Sequence, residues 1–243
     1  HIQMSNIIKA CRKVVITGGV AVGKTSITKQ VCDYLDELNI KWLIVPEYID
    51  IYDDGLEMLN KYLNHIITAF EFQKYVIRFY DEYLQKLERE QRIDENTILV
   101  FERTVDDSIT CFSNLDYRKG NISLLELCEL YNDATKIDIQ YNLPSYFISG
   151  NRIFIPIKND EVERDGKIIA NIIDYKIKNN IIIGLYNTDH DCFERMVKRN
   201  RKGEIESYTQ EVIAKFNNTY NNLYNLLMSQ GIVDFIDLGK LSK

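Results

Sequence analysis

The sequence predicts an α/β protein in which helices cover both faces of a five-stranded parallel sheet. Five short runs are apolar at successive positions rather than alternate ones, which is typical of strands buried on both faces. Between them, apolar residues recur every three or four positions, as they do in helices. The chain has 243 residues, of which 45% are hydrophobic and 27% charged, as in an ordinary globular protein. We expect one domain over residues 4–243, with residues 1–3 being a tag remnant.

Strands and helices alternate along the whole chain. The predicted strands are 13–17, 42–45, 97–101, 180–185 and 232–236. The predicted helices are 27–38, two within 56–90, 105–112, 124–131, 191–201 and 209–228. Because a helix separates each strand from the next, the connections fit parallel crossovers rather than hairpins.

Residues 145–178 do not fit this alternation. Two β-prone runs, 152–157 and 167–173, flank a polar segment that contains an Asp165-Gly166 turn. An Asp-Gly pair between two such runs is typical of a hairpin. We therefore predict a β-hairpin-like insertion that lies on the sheet rather than within it.

The composition argues against several classes of protein. The net charge of −6 and the pI of about 5.2 disfavour broad binding to a nucleic-acid backbone. The five cysteines are scattered without a Cys-x-x-Cys pair, which fits reduced thiols in an intracellular compartment. No apolar run approaches the roughly 18 residues of a membrane span, and no Arg- and Ser-rich transit segment opens the chain. We expect a cytoplasmic protein without nucleic-acid or membrane partners.

The strongest local signal follows the first predicted strand. Residues 18–25 match the phosphate-loop pattern G-x-x-x-x-G-K-[ST] at every fixed position, and they lead into a helix. Glycines allow the backbone N–H groups to surround phosphate, and the helix N-terminus adds partial positive charge. Lys24 can reach the terminal phosphates, and the Thr25 hydroxyl can bind Mg²⁺. The chain is therefore expected to bind a nucleotide with magnesium.

Charged residues follow the second and third strands. Glu47 comes just after the second strand, and Glu102 and Arg103 follow the third. Ligands of such sheets bind beyond the carboxyl ends of the strands, so these residues are expected near the phosphate loop. There a carboxylate can bind Mg²⁺ or accept a proton, and an arginine can stabilise phosphoryl charge. A structural ion pair is the alternative interpretation.

A basic cluster follows the fourth strand. Five of the ten residues 195–204 are Lys or Arg, although the protein as a whole is acidic. On a helix, Arg195 and Arg199 share one face. Such a run is often only a solvated surface. Its place at the ligand-binding edge favours a mobile lid that closes over phosphate.

The order of these motifs resembles the deoxynucleoside kinase family. That family includes the cellular deoxycytidine, deoxyguanosine and mitochondrial thymidine kinases and the insect multisubstrate enzyme. The resemblance runs from Lys13 to Leu227, interrupted by residues 145–178, and it implies a P-loop kinase fold. The similar elements are the phosphate loop, Glu47, Phe72-Gln73, Glu102-Arg103-Thr104 and the Arg-rich lid.

The resemblance implies an ATP-dependent kinase that acts on the 5′-hydroxyl of a deoxynucleoside. Glu47 would be the general base, Arg103 would contact the 5′-oxygen, and Glu102 with Thr25 would hold Mg²⁺. The implied catalytic residues are Lys24, Glu47, Arg103, Arg199 and Arg201. The implied ATP-binding residues are Gly18, Gly19, Val20, Ala21, Val22, Gly23, Lys24, Thr25, Ser26 and Arg195.

The resemblance also implies a nucleoside site. Gln73 would read the base and Phe112 would stack on it, whereas Tyr62 and Glu204 would bind the 3′-hydroxyl. The full set of implied substrate-binding residues is Glu47, Tyr62, Phe72, Gln73, Val76, Tyr80, Arg103, Ser108, Phe112 and Glu204. Aromatic residues at helical spacing are more often core, so only their spacing to Gln73 and Arg103 favours these roles. Asp106 and Asp107 are interpreted as solvated or capping residues.

The sequence departs from the family at several points. Pro46 precedes Glu47 instead of following it, and Tyr52 stands near the position of a family tryptophan. Tyr80 and Ser108 replace the Arg/Asp pair that accompanies cytidine and purine preference in the family. This difference favours pyrimidines, thymidine above all.

Two alternatives stay open from the sequence. A nucleoside monophosphate kinase of the thymidylate kinase type would share the fold and the lid. A P-loop regulator would bind nucleotide without transferring phosphate. As in the family, a homodimer is expected, formed by the helix 105–112 and the helix after it.

Overall fold

Six parallel strands form the sheet within the residues that this computed structural model describes. The structure describes residues 6–90, 92–146, 152–158, 180–201, 203–230 and 234–235. The strands are β1 Lys13–Thr17, β2 Trp42–Val45, β3 Ile98–Glu102, β4 Arg152–Lys158, β5 Asn180–Tyr186 and β6 Asp234–Phe235, in the spatial order β2-β3-β1-β5-β4-β6. Every pairing is parallel, and all five strands predicted from the sequence take part. The predicted fold class is confirmed.

The helices lie on both faces of this sheet. They are α1 Ile7–Ala10, α2 Lys24–Glu37, α3 Tyr48–Ile51, α4 Gly55–Leu63, α5 Ala69–Glu90, α6 Val105–Asp107, α7 Asn114–Arg118, α8 Leu124–Tyr141, α9 Asp189–Arg199, α10 Glu204–Ser207 and α11 Gln210–Gln230. A π-helical turn, Ser108–Ser113, joins α6 to α7. Within the described ranges, every helix is too short or too polar to cross a bilayer.

Successive side chains of the central strands pack into two different cores. On β1, Val15 packs with residues of α5, α8 and α11, whereas its neighbours Val14 and Ile16 pack with residues of α2 and α9. All three are buried. Both faces of the sheet are therefore covered, which explains why the strands are apolar at every position instead of at every second one.

The prediction for residues 145–178 is wrong in one respect. Strand β4 lies within the sheet, between β5 and β6, and pairs in parallel with β5 through Ile155 and Ile183. Ile155 and Ile157 are buried, so this run belongs to the core of the sheet. The second β-prone run, 167–173, and the Asp165-Gly166 turn lie outside the described residues, as do residues 1–3.

The topology brings three loops to one edge of the sheet. Because β1, β2 and β3 are neighbours and run parallel, their carboxyl ends lie side by side. The phosphate loop follows β1, Glu47 follows β2, and Arg103 follows β3. Helix α9 begins after the next strand, β5, and carries the basic cluster to the same edge.

Candidate active site

The phosphate loop between β1 and α2 has a backbone that requires glycine. Gly18 and Gly23 have φ angles of 153° and 106°, which residues with a side chain rarely adopt. A Cβ atom on Gly18 would also lie 2.8 Å from the carbonyl oxygen of Leu185. The loop leads into α2 at Lys24, where the first backbone N–H groups of the helix have no partner within it and can bind an anion.

Lys24 is held inside this loop. Its side chain is only 8% exposed, and Nζ donates a hydrogen bond to the carbonyl oxygen of Gly19 at 3.0 Å. Burial, together with the nearby charge of Arg103, lowers the pKa of Lys24 to about 7. An anion in the loop would favour the charged form of this lysine.

Glu47 and Arg103 form an ion pair beside the loop. Arg103 Nη1 lies 2.8 Å from Glu47 Oε1, and both side chains are largely buried. Burial alone would raise the pKa of Glu47, but the charges of Arg103, Lys24 and Arg201 outweigh it and lower that pKa. The carboxylate is therefore ionised at neutral pH and lies near three basic side chains.

Arg103 connects the ion pair to the loop. Its Nε and Nη2 atoms donate to the carbonyl oxygen of Gly18 at 3.2 and 3.0 Å, and the guanidinium lies 4.9 Å from the centre of the Phe112 ring. The backbone of Arg103 has a φ of 63°, a left-handed conformation uncommon for arginine. Strained residues of this kind concentrate at functional sites.

The basic cluster folds back over the phosphate loop. Arg195 Nη1 donates to the carbonyl oxygen of Val22 at 3.1 Å. Arg199 Nη2 donates to both carboxylate oxygens of Glu204, at 2.9 and 2.7 Å, and Arg201 Nε lies 3.7 Å from the same carboxylate. Glu204 is 2% exposed. The segment predicted as a lid therefore lies against the phosphate loop in this structure.

A cleft that adjoins the phosphate loop is lined by side chains with oxygen atoms that could bind a metal ion. It is lined by Thr25, Glu102, Asp50 and Lys24, among others. Hydroxyl and carboxylate oxygens suit Mg²⁺, and burial with the charge of Glu47 raises the pKa of Glu102. In the part of the chain that the structure describes, no three His, Cys, Asp or Glu side chains form a metal-binding group. These donors fit an ion that takes most of its ligands from nucleotide phosphates and water.

Most of the site residues predicted from the sequence line one pocket, the main pocket. It extends from Lys24 and the Glu47–Arg103 pair to a buried amide. Gln73 on α5 is 2% exposed, and its Oε1 accepts a hydrogen bond from the Ser108 hydroxyl of the π-helical turn. Val76, Tyr80 and Phe112 line the same pocket. An amide held in apolar surroundings can recognise a flat ring with polar edges.

Tyr62 and Glu204 belong to the same pocket. The Tyr62 ring stacks on Phe72, with centroids 4.5 Å apart and an angle of 7° between the planes. Tyr62 comes from α4, Phe72 from α5 and Glu204 from the start of α10. The pocket therefore depends on three elements that are separate in sequence.

The structure brings the sequence-predicted residues together. All ten predicted substrate-binding residues line the main pocket, as do Lys24, Arg199 and Arg201. Of the other predicted nucleotide- and metal-binding residues, Val20 and Ala21 line the main pocket, whereas Gly23, Thr25, Ser26, Glu102 and Arg195 line the adjoining cleft. Gly18, Gly19 and Val22 complete the loop between them. Lys202 of the basic cluster lies outside the described residues.

Several pocket residues were not predicted from the sequence. They are Tyr48, Ile49, Leu59, Thr104, Asp107, Tyr208 and Phe216. Tyr48 directly follows Glu47, so its position beside a predicted catalytic residue was an available signal. Tyr208 and Phe216 had no such neighbour, and aromatic residues at helical spacing are usually core.

The interpretation of Asp106 and Asp107 as solvated residues is wrong. Both are buried, and Asp107 accepts hydrogen bonds from the Thr17 hydroxyl at 2.7 Å and the Tyr146 hydroxyl at 2.6 Å. Burial raises the pKa of Asp107. The capping interpretation is correct for Asp107, which completes a capping box with Thr104. Its carboxylate also ties α6 to the end of β1, directly before the phosphate loop.

Solved structures share this fold, and two of them are of the same enzyme. Both are of a deoxyadenosine kinase from M. mycoides, one with bound dATP and one with bound dCTP. Their TM-scores with this chain are 0.53 and 0.52, at 19% and 20% sequence identity. The matches cover 94% and 93% of this chain and 91% and 90% of theirs. No protein-family model matches the chain, and no curated protein sequence shows significant similarity to it.

Proposed function

We propose that this protein is a deoxynucleoside kinase, which transfers the γ-phosphoryl group of ATP to the 5′-hydroxyl of a deoxynucleoside for nucleotide salvage. One observation carries the proposal: a single pocket is lined by Lys24 of the phosphate loop, by the Glu47–Arg103 pair and by Gln73. A phosphate loop alone is common to many nucleotide-binding proteins. A carboxylate and a buried amide in the same pocket add a proton acceptor and a means of recognising a base.

Glu47 is the general base of the proposed reaction. Its carboxylate accepts the proton of the 5′-hydroxyl while the 5′-oxygen bonds to the γ-phosphorus and the bond from that phosphorus to the β,γ-bridging oxygen breaks. Arg103, which contacts both Glu47 and the Gly18 carbonyl, lies between the base and the phosphate loop. It can stabilise the charge that develops on the 5′-oxygen and the transferred group.

Positive charge around the phosphates provides most of the remaining catalysis. Lys24, Arg199 and Arg201 line the pocket and can neutralise the transferred phosphoryl group. Thr25 and Glu102 would supply oxygen ligands to Mg²⁺, which when bound would neutralise part of the phosphate charge of ATP. In this proposal Arg195, on the Val22 carbonyl, fixes the lid helix against the loop.

We also propose that pyrimidine nucleosides, thymidine above all, are preferred. Tyr80 and Ser108 stand where a charged pair would favour cytidine and purines, and neither carries a charge. The Ser108 hydroxyl donates to Gln73 Oε1, which fixes the orientation of the amide. Thymine offers a neighbouring donor and acceptor that an amide can bind through both its ends. Relative activity on the four deoxynucleosides tests this preference.

A homodimer fits the surface of α8. Leu124, Leu125, Tyr131 and Ile139 are exposed on this helix, and Leu125 is 83% exposed. Val105 and Ile109 of the preceding helical segment are instead buried within the chain, so α8 would provide the contact. Light scattering measures the oligomeric state of the wild type and of Leu125→Lys. The proposal requires the wild type to be a dimer and the variant to shift towards the monomer.

We propose a cytoplasmic location because the five cysteines are free thiols, of which four are buried.

A coupled ADP-release assay with Mg²⁺-ATP tests the proposed function. The acceptors are the four deoxynucleosides and dTMP. Turnover on a nucleoside is expected, with thymidine ahead of the others. Turnover on dTMP alone would instead indicate a nucleoside monophosphate kinase, and ATP binding without turnover on any acceptor would indicate a P-loop regulator.

A further inference from the structure

The hydroxyl of Tyr62 already has a hydrogen-bond partner behind the pocket. It donates to Asp116 Oδ2 at 2.6 Å. The ring is held by its stack on Phe72, so the hydroxyl keeps one position relative to the pocket. Burial, and then the charge of Asp116, raise the pKa of Tyr62 and keep its proton on the phenol.

Asp116 acts only as an acceptor in this arrangement. It lies on α7, is 4% exposed, and its second oxygen, Oδ1, accepts from Asn121 Nδ2 at 3.2 Å. Because both carboxylate oxygens face donors, the proton between Asp116 and Tyr62 belongs to the tyrosine. A phenol has a single proton, so the Tyr62 oxygen can only accept a hydrogen bond from a molecule in the pocket.

Asp116 reaches Tyr62 from outside the main pocket. Tyr62, Tyr208 and Phe216 line both that pocket and an outer cleft, and Asp116 lines only the cleft. These three aromatic residues form the wall between the two cavities. Asp116 therefore reaches a bound molecule through Tyr62 and not by direct contact.

Glu204 is the second acceptor on this side of the pocket. Its carboxylate is buried beneath Arg199 and can accept but not donate while it is ionised. A sugar hydroxyl has one proton and cannot donate to both Tyr62 and Glu204 at once. A substituent with two or more protons can satisfy both.

We propose that Asp116 is a positioning residue that fixes Tyr62 as a hydrogen-bond acceptor and thereby selects sugar substituents that donate. The inference rests on the proposed function, in which Tyr62 and Glu204 bind the 3′ position of a deoxynucleoside. It concerns the direction of one hydrogen bond, so it can be tested with substrates that differ only at that position.

A series of 3′-substituted nucleosides gives the first test on the wild-type protein. The compounds carry an amino, hydroxyl, hydrogen or fluorine substituent, and both the Kd and kcat/KM are measured. The expected order of affinity is amino at least equal to hydroxyl, then hydrogen, then fluorine, because fluorine can only accept. Fluorine should lower kcat/KM about 100-fold or more relative to hydroxyl. The proposal requires a hydrogen-bond donor at the 3′ position. It would be overturned if the fluoro compound bound as tightly as the hydrogen compound, or more tightly.

The variant Asp116→Asn should reverse the hydrogen bond. Asn121 Nδ2 is a donor and would keep the oxygen of the new amide on its side, which turns the amide NH₂ group towards Tyr62. The Tyr62 proton is then free to point into the pocket. The ratio of kcat/KM for the hydroxyl compound to kcat/KM for the fluoro compound should fall about tenfold, mostly through a change in KM. An unchanged ratio would overturn the proposal.

Two controls separate this effect from a loosened structure. Asn121→Ala removes the other side-chain hydrogen bond of the Asp116 carboxylate but leaves the bond from Tyr62. The ratio should therefore stay as in the wild type. In a Tyr62→Phe background, Asp116→Asn should have no further effect on the ratio. A ratio that narrows equally in Asn121→Ala would show a structural role and overturn the proposal. If Asp116→Asn does not fold, binding of the fluoro compound at least as tight as that of the hydrogen compound in the wild type still overturns the proposal.

The outcomes distinguish this inference from the proposed function. A wild-type protein that phosphorylates no nucleoside refutes both the kinase proposal and the inference. A wild-type protein that phosphorylates nucleosides but prefers the fluoro compound over the hydrogen compound refutes the role of Asp116 alone.

Discussion

The two ends of the main pocket are constructed in different ways. At the phosphate end, eight consecutive residues, 18–25, provide a loop whose function lies largely in its backbone. At the proposed nucleoside end, single side chains come from α4, α5, the π-helical turn and α10. The first end is a local property of the sequence, whereas the second exists only once the sheet and helices have assembled. Substitutions at the two ends should therefore fail in different ways.

The largest effect is expected at Lys24. Lys24→Met removes a cation that lies inside the phosphate loop, and turnover should fall on the order of 10⁴-fold for every nucleoside. The matched control is Lys29→Met on the same helix, because Lys29 is exposed and pairs with Asp33, which is also exposed. Steady-state kinetics with several acceptors measures both variants. A loss confined to one nucleoside would contradict a phosphate-end role.

Glu47 lies where the two ends meet. Glu47→Gln removes the proposed proton acceptor and keeps the shape of the side chain, so kcat should fall on the order of 10²–10⁴-fold. Binding of ATP should change little, because the phosphate loop is intact. Calorimetric titration with ATP checks this point. Wild-type turnover would remove Glu47 from the role of base.

Gln73 tests the nucleoside end alone. Gln73→Leu removes both hydrogen-bonding ends of the amide and leaves the Ser108 hydroxyl without its acceptor. We expect kcat/KM for the preferred nucleoside to fall about 10–100-fold, the spread between bases to shrink, and ATP affinity to stay the same. Parallel assays on the four deoxynucleosides measure the spread. An equal loss of kcat/KM for all four deoxynucleosides, together with weaker ATP binding, would contradict a role of Gln73 in recognising the base.

The smallest effect is expected where the lid meets α4. Gly203 has a φ of 87°, and a Cβ atom there would lie 1.5 Å from Asn60 Oδ1. Gly203→Ala should therefore disfavour the closed lid and raise KM about tenfold. Asn60→Ala in the same chain should restore part of the loss by removing the overlap. A KM unchanged by Gly203→Ala would show that lid closure does not require this contact.

The phosphate loop and the two elements beside it are predictable from the sequence for a physical reason. The residues 18–25 are contiguous, and the strand before them and the helix after them are readable from periodicity alone. Glu47 and Arg103 follow from one further rule, that parallel strands present their carboxyl ends at one edge. Their 2.8 Å contact needed the knowledge that β2, β3 and β1 are adjacent.

The nucleoside end and the sheet order could not be derived in the same way. Tyr208 and Phe216 look like core residues, and only the folded chain shows that they face a pocket. Asp107 is recognisable as a cap, but its bond to Thr17 depends on β1 and β3 being neighbours. The run that forms β4 is recognisable as β-prone, yet its apolar pattern does not say which strand it pairs with.

The central claim is that one pocket joins a phosphate loop to a nucleoside site. Incubation with ATP labelled at the γ-phosphate, Mg²⁺ and thymidine tests it directly, with chromatographic identification of the labelled product. We predict that the label appears in the nucleoside 5′-monophosphate and that Glu47→Gln suppresses its formation. Label found only in inorganic phosphate, or in a diphosphate formed from dTMP but in no product of a nucleoside, would contradict the claim.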